Sequence, residues 1–266
     1  RVLFRSIMSW WTTVLGGAFG FMLGGPLGAM LGAAFAGNFS KNKASFGGFD
    51  KGYHLGDQQR VQAAFFSSLF SVMGYLAKVD GKVSKSEILL AQQVMQHMQL
   101  AEDMQKVAKE LFNQGKQASF NLDEVLEQFR LESHRRTHLV RMFLEIQIQA
   151  TYADGVLDDK ERDALKYIAQ KLHFSLQELE NLIQQFAATT GHTSQLSVDD
   201  AYVILGVDKS LTDKELKRAY RRLLAQHHPD KLVAKGLPEE MMIIAKEKTQ
   251  EIISAYELIK KQRGMR

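Results

Sequence analysis

Five consecutive residues, His227, His228, Pro229, Asp230 and Lys231, put two imidazoles, a rigid turn and a carboxylate side by side. Three kinds of chemistry fit that composition. His228 and Asp230 would make an acid–base pair, but a catalytic dyad needs a nucleophile and a pocket, and neither accompanies them. His227 and His228 would offer imidazoles to a metal, yet adjacent residues do not converge on one ion without further ligands. The third is recognition: an exposed turn at the tip of two antiparallel helices is a contact surface and is hard to explain as core.

The neighbouring segments must hold that tip. Before it, Thr212 and Glu215 have the spacing of a reciprocal helix cap. Leu216, Ala219, Tyr220, Leu223 and Leu224 then form an apolar stripe, with Lys214, Lys217, Arg218, Arg221 and Arg222 on the opposite face. After it, Pro238 with Glu239 and Glu240 suits a helix start, since proline fits the first turn and acids face the positive dipole end. That helix is expected to reach Lys261, with Ala245, Ile252, Ala255, Tyr256 and Ile259 packing on its predecessor. A shorter helix over Asp199–Leu205 stops at Gly206 and completes a three-helix pattern. The basic helix lacks base-stacking aromatics and any recognisable nucleic-acid module, so no nucleic-acid partner is expected.

Asp200-Ala201-Tyr202, Leu205-Gly206-Val207, Leu216, Ala219-Tyr220-Arg221, His228-Pro229-Asp230-Lys231 and Ala255-Tyr256-Glu257-Leu258 resemble the J domain of DnaJ-type co-chaperones, in order and over about Asp199–Lys261. The resemblance implies docking on a DnaK-type chaperone and stimulation of its ATP hydrolysis. His228, Pro229, Asp230 and Lys231 would be the trigger, and Lys217, Arg218, Arg221 and Arg222 would steer the helix onto an acidic surface. The chemistry would be the partner's, so the chain itself is read as no enzyme. No Gly/Phe-rich region follows, and no CxxCxGxG modules are present.

The 266 residues carry a formal charge of only +4, three prolines and no cysteine. Disulfides, thiolate zinc sites and cysteine nucleophiles are therefore excluded, and a reducing compartment fits. Apolar residues recur at three- and four-residue steps, so the chain reads as all-α. From Ser6 to Ser40 there is no ionisable side chain. Ile7–Ala36 exceeds the ~20 helical residues that cross a ~30 Å hydrocarbon core, and is read as a transmembrane helix with Trp10 and Trp11 near one interface. A cleaved signal peptide would be shorter and less glycine-rich. Gly16, Gly20, Gly24, Gly28 and Gly32 fall at four-residue steps, a row that lets helices approach closely in lipid and points to a homodimer. Pro26 is expected to kink the span or turn it back. Flanking charge favours the large C-terminal portion in the cytoplasm. The chain starts at Arg1 rather than Met, which leaves the true N-terminus open.

Between the span and the three-helix unit, Ser84 with Glu87, Asn121 with Glu124, Asp158 with Glu161 and Ser175 with Glu178 mark helix starts, and about seven helices are expected in one bundle. Asp80–Glu87 and Asp154–Glu161 align residue for residue as an internal repeat. Two readings compete for it. Asp80, Glu87, Asp154, Asp158 and Glu161 could hold a divalent cation, or Asp-Gly simply makes a turn and the next residues cap a helix. The segment resembles the TerB-like tellurite-resistance domain, a helical module with acidic Asp-Gly turns. His134 and His138 are expected to share a helix face at zincin-like spacing, but they lack the intervening glutamate and have Arg135 and Arg136 between them, and suit a basic solvated face.

The division expected is a glycine-rich span at 1–37, a tether at 38–60, the TerB-like bundle at 61–188, a linker at 189–198 and a J domain at 199–266. This order resembles the DjlA-type family of bacterial membrane-anchored co-chaperones. It implies a single-pass protein of the inner membrane that recruits a DnaK-type chaperone to clients or signalling complexes, with no cofactor beyond the possible cation. The alternative is a metal- or envelope-stress-responsive scaffold whose middle domain, of unknown ligand, is the sensor and whose J domain is an effector arm.

Overall fold

The computed structural model describes residues 24–39, 57–79, 100–152, 157–190, 196–238 and 241–265, with scattered positions between 89 and 98. All regular structure among these residues is helical, as the three- and four-residue spacing implies. In chain order the helices are α1 (Gly25–Phe39), α2 (Asp57–Leu76), α3 (Glu102–Gly115), α4 (Leu122–Glu132), α5 (Thr137–Thr151), α6 (Asp159–Lys171) and α7 (Leu176–Thr190), followed by α8 (Val198–Leu205), α9 (Asp213–His227), α10 (Pro229–Ala234) and α11 (Met242–Gln262).

Helix α2 is the axis of the bundle. It is apolar around most of its circumference, which suits a helix packed on all sides. Its Phe65 meets Phe129 of α4 and Phe143 of α5 edge-on, with ring centroids 5.9 and 6.2 Å apart. Ser67, Ser68 and Ser71 are wholly buried, and each donates its hydroxyl to the carbonyl four residues back, so none of the three hydroxyls is stranded. Gly74 lies against the Phe112 carbonyl and Gly115 against that of Ser71, so a Cβ at either position would hold α2 and α3 apart. The bundle is laced by Arg60–Glu132 at 2.6 Å, Arg162–Glu180 at 2.6 Å and a bond from Tyr167 to Asp123 at 2.6 Å.

Three of the four expected caps fall on described residues. Glu124 N donates to Asn121 Oδ1 at 3.3 Å, Glu178 N to Ser175 Oγ at 3.4 Å, and Asp158 with Glu161 forms a reciprocal box. Ser84 and Glu87 lie outside the described residues. His134 and His138 do not share a helix: Arg135 at φ 61° turns the chain between α4 and α5, leaving His134 in the turn.

Part of the apolar N-terminal segment is described. Gly24 and Gly25 have φ of 61° and 59°, a left-handed pair at the start of α1 that leaves Pro26 in its first turn, and the expected kink or turn-back of the span also involves residues 7–23, which lie outside the described residues. Leu27, Leu31 and Ala34, on one face of α1, are buried in the bundle core. Gln128 of α4 accepts from Leu27 N and donates to Gly24 O, both at 2.8 Å. Among the described residues no helix is long and apolar enough to cross a membrane. Of the glycine row, Gly24 precedes α1, Gly28 is buried on it and Gly32 is half-buried, while Gly16 and Gly20 lie outside the described residues.

Candidate functional site: the turn between α9 and α11

The three-helix unit has its own core, in which Ala201, Tyr202, Leu205, Leu216, Ile252, Ala255 and Ile259 come together. Helix α8 opens with a reciprocal cap between Ser197 and Asp200 and ends on Gly206 at φ 62°. Helix α9 opens with the Thr212–Glu215 box, whose bonds hold the Glu215 carboxyl below its ordinary range. Tyr220 stacks on Tyr256 at 4.0 Å between centroids, fixing α9 against α11. Arg263, which sequence reasoning passed over, closes the far end. Its guanidinium donates to Tyr202 Oη at 2.6 Å, to the carbonyls of Leu211 and Lys209 at 2.7 Å each, and to Asp213 at 3.0 Å.

These helices present the turn. His228 has ψ 122°, the extended conformation a residue before proline favours, so α9 stops at His227 and Pro229 opens α10. His228, Asp230 and Lys231 are exposed, as are Lys214, Lys217, Arg218, Arg221 and Arg222 along α9. Lys217, Arg218, Arg221 and Arg222 make no ion pair among the described residues, so their field is turned to solvent. An imidazole and a carboxylate thus stand at the tip of a basic helix, an arrangement suited to docking.

The structure departs from the sequence reading on the inner side of the turn. Pro229 is buried and His227 is only 2% exposed, because the turn rests on the bundle. Leu232, Leu237, Met241 and Ala245 belong to the bundle core and not to the core of the three-helix unit. Ala245 therefore does not pack on α9 as its place in the stripe suggests. The last long helix starts at Met242, not Pro238, because Pro238 O accepts from Met241 N in a separate turn, while Glu239 and Glu240 lie outside the described residues. Gly236, at φ 102°, sits against Val61 and Leu139 where a Cβ would collide. Gln58 and Gln62 of α2 donate to the carbonyls of Val233 and Leu237 at 3.2 and 3.4 Å. Burial of Leu232, Leu237 and Met241 supplies roughly 1.5–3 kcal/mol each before the entropy of ordering is subtracted.

His227 faces α5, its Nε2 3.6 Å from Glu145 Oε1. Burial pushes its pKa below the ordinary histidine value. Glu145 and Glu251 pull it upward, and Arg141 and Lys248 reinforce the fall. His138, nearby on α5, is also lowered, first by burial and then by Lys235, Arg141 and Lys231. Of the candidate cation ligands, Asp80, Glu87 and Asp154 lie outside the described residues, and Asp158 and Glu161 cap α6. No group of three His, Asp or Glu side chains among the described residues could hold a metal ion.

Known families account for most of the chain. Residues 200–264 match the DnaJ domain, residues 67–184 the family described as tellurite resistance protein TerB, and residues 8–45 the co-chaperone DjlA transmembrane domain. Co-chaperone protein DjlA of Shewanella oneidensis is 43% identical over 230 residues, covering 85% of this chain and 88% of that protein. The protein of the same name from Photobacterium profundum is 40% identical over 278 residues, covering 96% of this chain and 100% of its own. That of Photorhabdus laumondii is 39% identical over 276 residues, with 97% and 100% covered. No solved structure matches.

Proposed function

Because the chain belongs to the DjlA family of membrane-anchored co-chaperones, we propose that its J domain docks on a DnaK-type chaperone and stimulates that partner's ATP hydrolysis. The observation that carries this reading is the exposed His228 and Asp230 at the end of an unpaired basic helix. Lys217, Arg218, Arg221 and Arg222 steer an acidic surface of the partner toward α9, and His228, Pro229 and Asp230 engage it. The chain supplies no catalytic group of its own. It acts from the inner membrane in a single pass with bundle and J domain in the cytoplasm, and two copies associate through the part of the glycine row that precedes α1, Gly16 and Gly20. Adding the full chain in vesicles to a DnaK-type chaperone is expected to raise single-turnover ATP hydrolysis. His228→Gln is expected to abolish the rise, and an unchanged rise would remove the trigger from His228. Cysteine pairs introduced into this cysteine-free chain near Gly16 test association, which fails if no inter-chain cross-link forms.

One observation favours a sensing role for the bundle alongside this. The segment that follows the trigger shares a core with the bundle, so whatever the bundle binds has a mechanical route to the trigger.

A further inference from the structure

Between α5, α7 and α11 lies a cleft of about 310 Å³, with walls from both the bundle and the J domain. That volume is at the low end of ligand pockets, ~300–1,000 Å³, and suits a few side chains better than a cofactor. Ile146, Leu182 and Phe186 of the bundle and Ile244 of α11 supply its apolar surface, and Glu145, Glu247 and Glu251 with Lys248 its charged, predominantly acidic edge. Each acid has one oxygen engaged. Glu145 Oε1 accepts from Arg141 Nε at 3.2 Å, and Glu251 Oε2 from Lys248 Nζ at 2.9 Å. The second oxygens, Glu145 Oε2 and Glu251 Oε1, are buried and have no hydrogen-bond partner among the described residues. Behind Glu145 both ring nitrogens of the buried His227 are also without one.

Buried acceptors left without donors are costly, and a group that brings N–H donors to both oxygens removes that cost. Carboxylates accept only, and an ammonium or guanidinium is the donor-rich partner they take. A cation carried on an aliphatic stem also satisfies the apolar wall. A metal ion fits less well, since no three ligating side chains among the described residues converge. We infer that the cleft binds a short segment of a partner polypeptide in which an arginine or lysine is flanked by apolar residues. The cation engages Glu145 and Glu251, and the flanking side chains lie on Ile146, Phe186 and Ile244. Because both units line the cleft, such an occupant pins α11 to the bundle and holds the trigger in its seat. This site is independent of the chaperone reading, and its test is binding alone.

Fluorescence anisotropy with the full chain in nanodiscs provides the test, using a labelled short peptide with one arginine among leucines and a second with glutamate in its place. The arginine peptide is expected to bind and the glutamate peptide not. Glu251→Gln is expected to weaken binding by about tenfold or more. Ile244→Trp, which fills the cleft without altering charge, is expected to abolish it, with near-UV circular dichroism checking that both variants are folded. Equal binding of the two peptides, no binding of either, or full binding by Ile244→Trp would overturn the assignment. Spermidine binding as tightly as the arginine peptide would overturn the polypeptide part, because a free amine would then suffice.

Discussion

Replacing Leu237 by alanine should loosen the trigger from the bundle while leaving both folded. Leu237 is wholly buried in the bundle core, yet it belongs to a turn of the J domain whose own core lies elsewhere. Truncating such a leucine costs ~2–5 kcal/mol, and here the loss falls on the docked state and not on either unit's internal packing. With tenfold per ~1.4 kcal/mol, local opening becomes roughly thirtyfold to several-thousandfold more frequent. Native-state hydrogen exchange reads this directly. Gly236 N donates to Val233 O and Leu237 N to Leu232 O, both at 2.9 Å, and these amides are expected to lose protection. Those in α2 around Phe65, and in α11 around Ile252, are expected to keep theirs. Unchanged protection at Gly236 and Leu237 would refute the docked turn. Equal loss everywhere would show that the turn is part of the bundle's cooperative unit.

Acid should loosen the same joint. His227 has its pKa lowered from 6.5 in the fold, so the unfolded or undocked state binds the proton more readily, and the associated stability is present above about 6.5 and lost as pH falls below it. Exchange at Leu232–Leu237 measured from pH 7.5 downward, with the intrinsic rate divided out, should show this, and His227→Asn should reduce the dependence to the part that His138 supplies; Arg141, Glu145, Lys248 and Glu251 are the charges that face the His227 ring. Phe129→Ala should cost the bundle ~3–5 kcal/mol in chemical denaturation, since its ring is buried against Phe65 and Phe143. Arg263→Lys should lower J-domain stability by ~1–2 kcal/mol, because one ammonium cannot reach Tyr202, Asp213 and two carbonyls together. Arg221→Glu with Arg222→Glu should slow association with the chaperone at low salt and lose that effect as added salt shortens the screening length below its physiological ~8 Å.

Much of the chain is legible from local rules. Reciprocal caps at Thr212 and Asp158 announce helix starts because side-chain bonds to the first amides depend on a three-residue spacing alone, whereas the like cap of Ser197 by Asp200 falls in the stretch read as a linker. The turn at His228 is equally local, since proline dictates both its own φ and its neighbour's conformation. What stays hidden is long-range. Ala245 continues the stripe of Ile252 and Ile259, and only tertiary structure turns its end of α11 toward the bundle. His227 beside His228 reads as part of one exposed motif, and its burial depends on Glu145, distant in sequence. Gly236 looks like an ordinary turn glycine, while its φ of 102° and the nearness of Val61 tie it to the joint. Arg263 carries no local signal, because its four partners come from the start of the domain. Leu27 and Leu31 fit a membrane span and a bundle surface equally well, as apolar spacing does not distinguish lipid from protein.

The trigger itself is tested most directly by single-turnover ATP hydrolysis of a DnaK-type chaperone on vesicles carrying the full chain, wild type against Asp230→Asn. Asp230 is exposed and makes no ion pair among the described residues, so this near-isosteric change leaves the fold intact. The expected result is a rate that climbs with the amount of wild-type protein and stays at the unstimulated level with Asp230→Asn. Equal stimulation by both, with circular dichroism confirming that the two proteins are folded alike, would contradict the assignment of this turn as the point of contact.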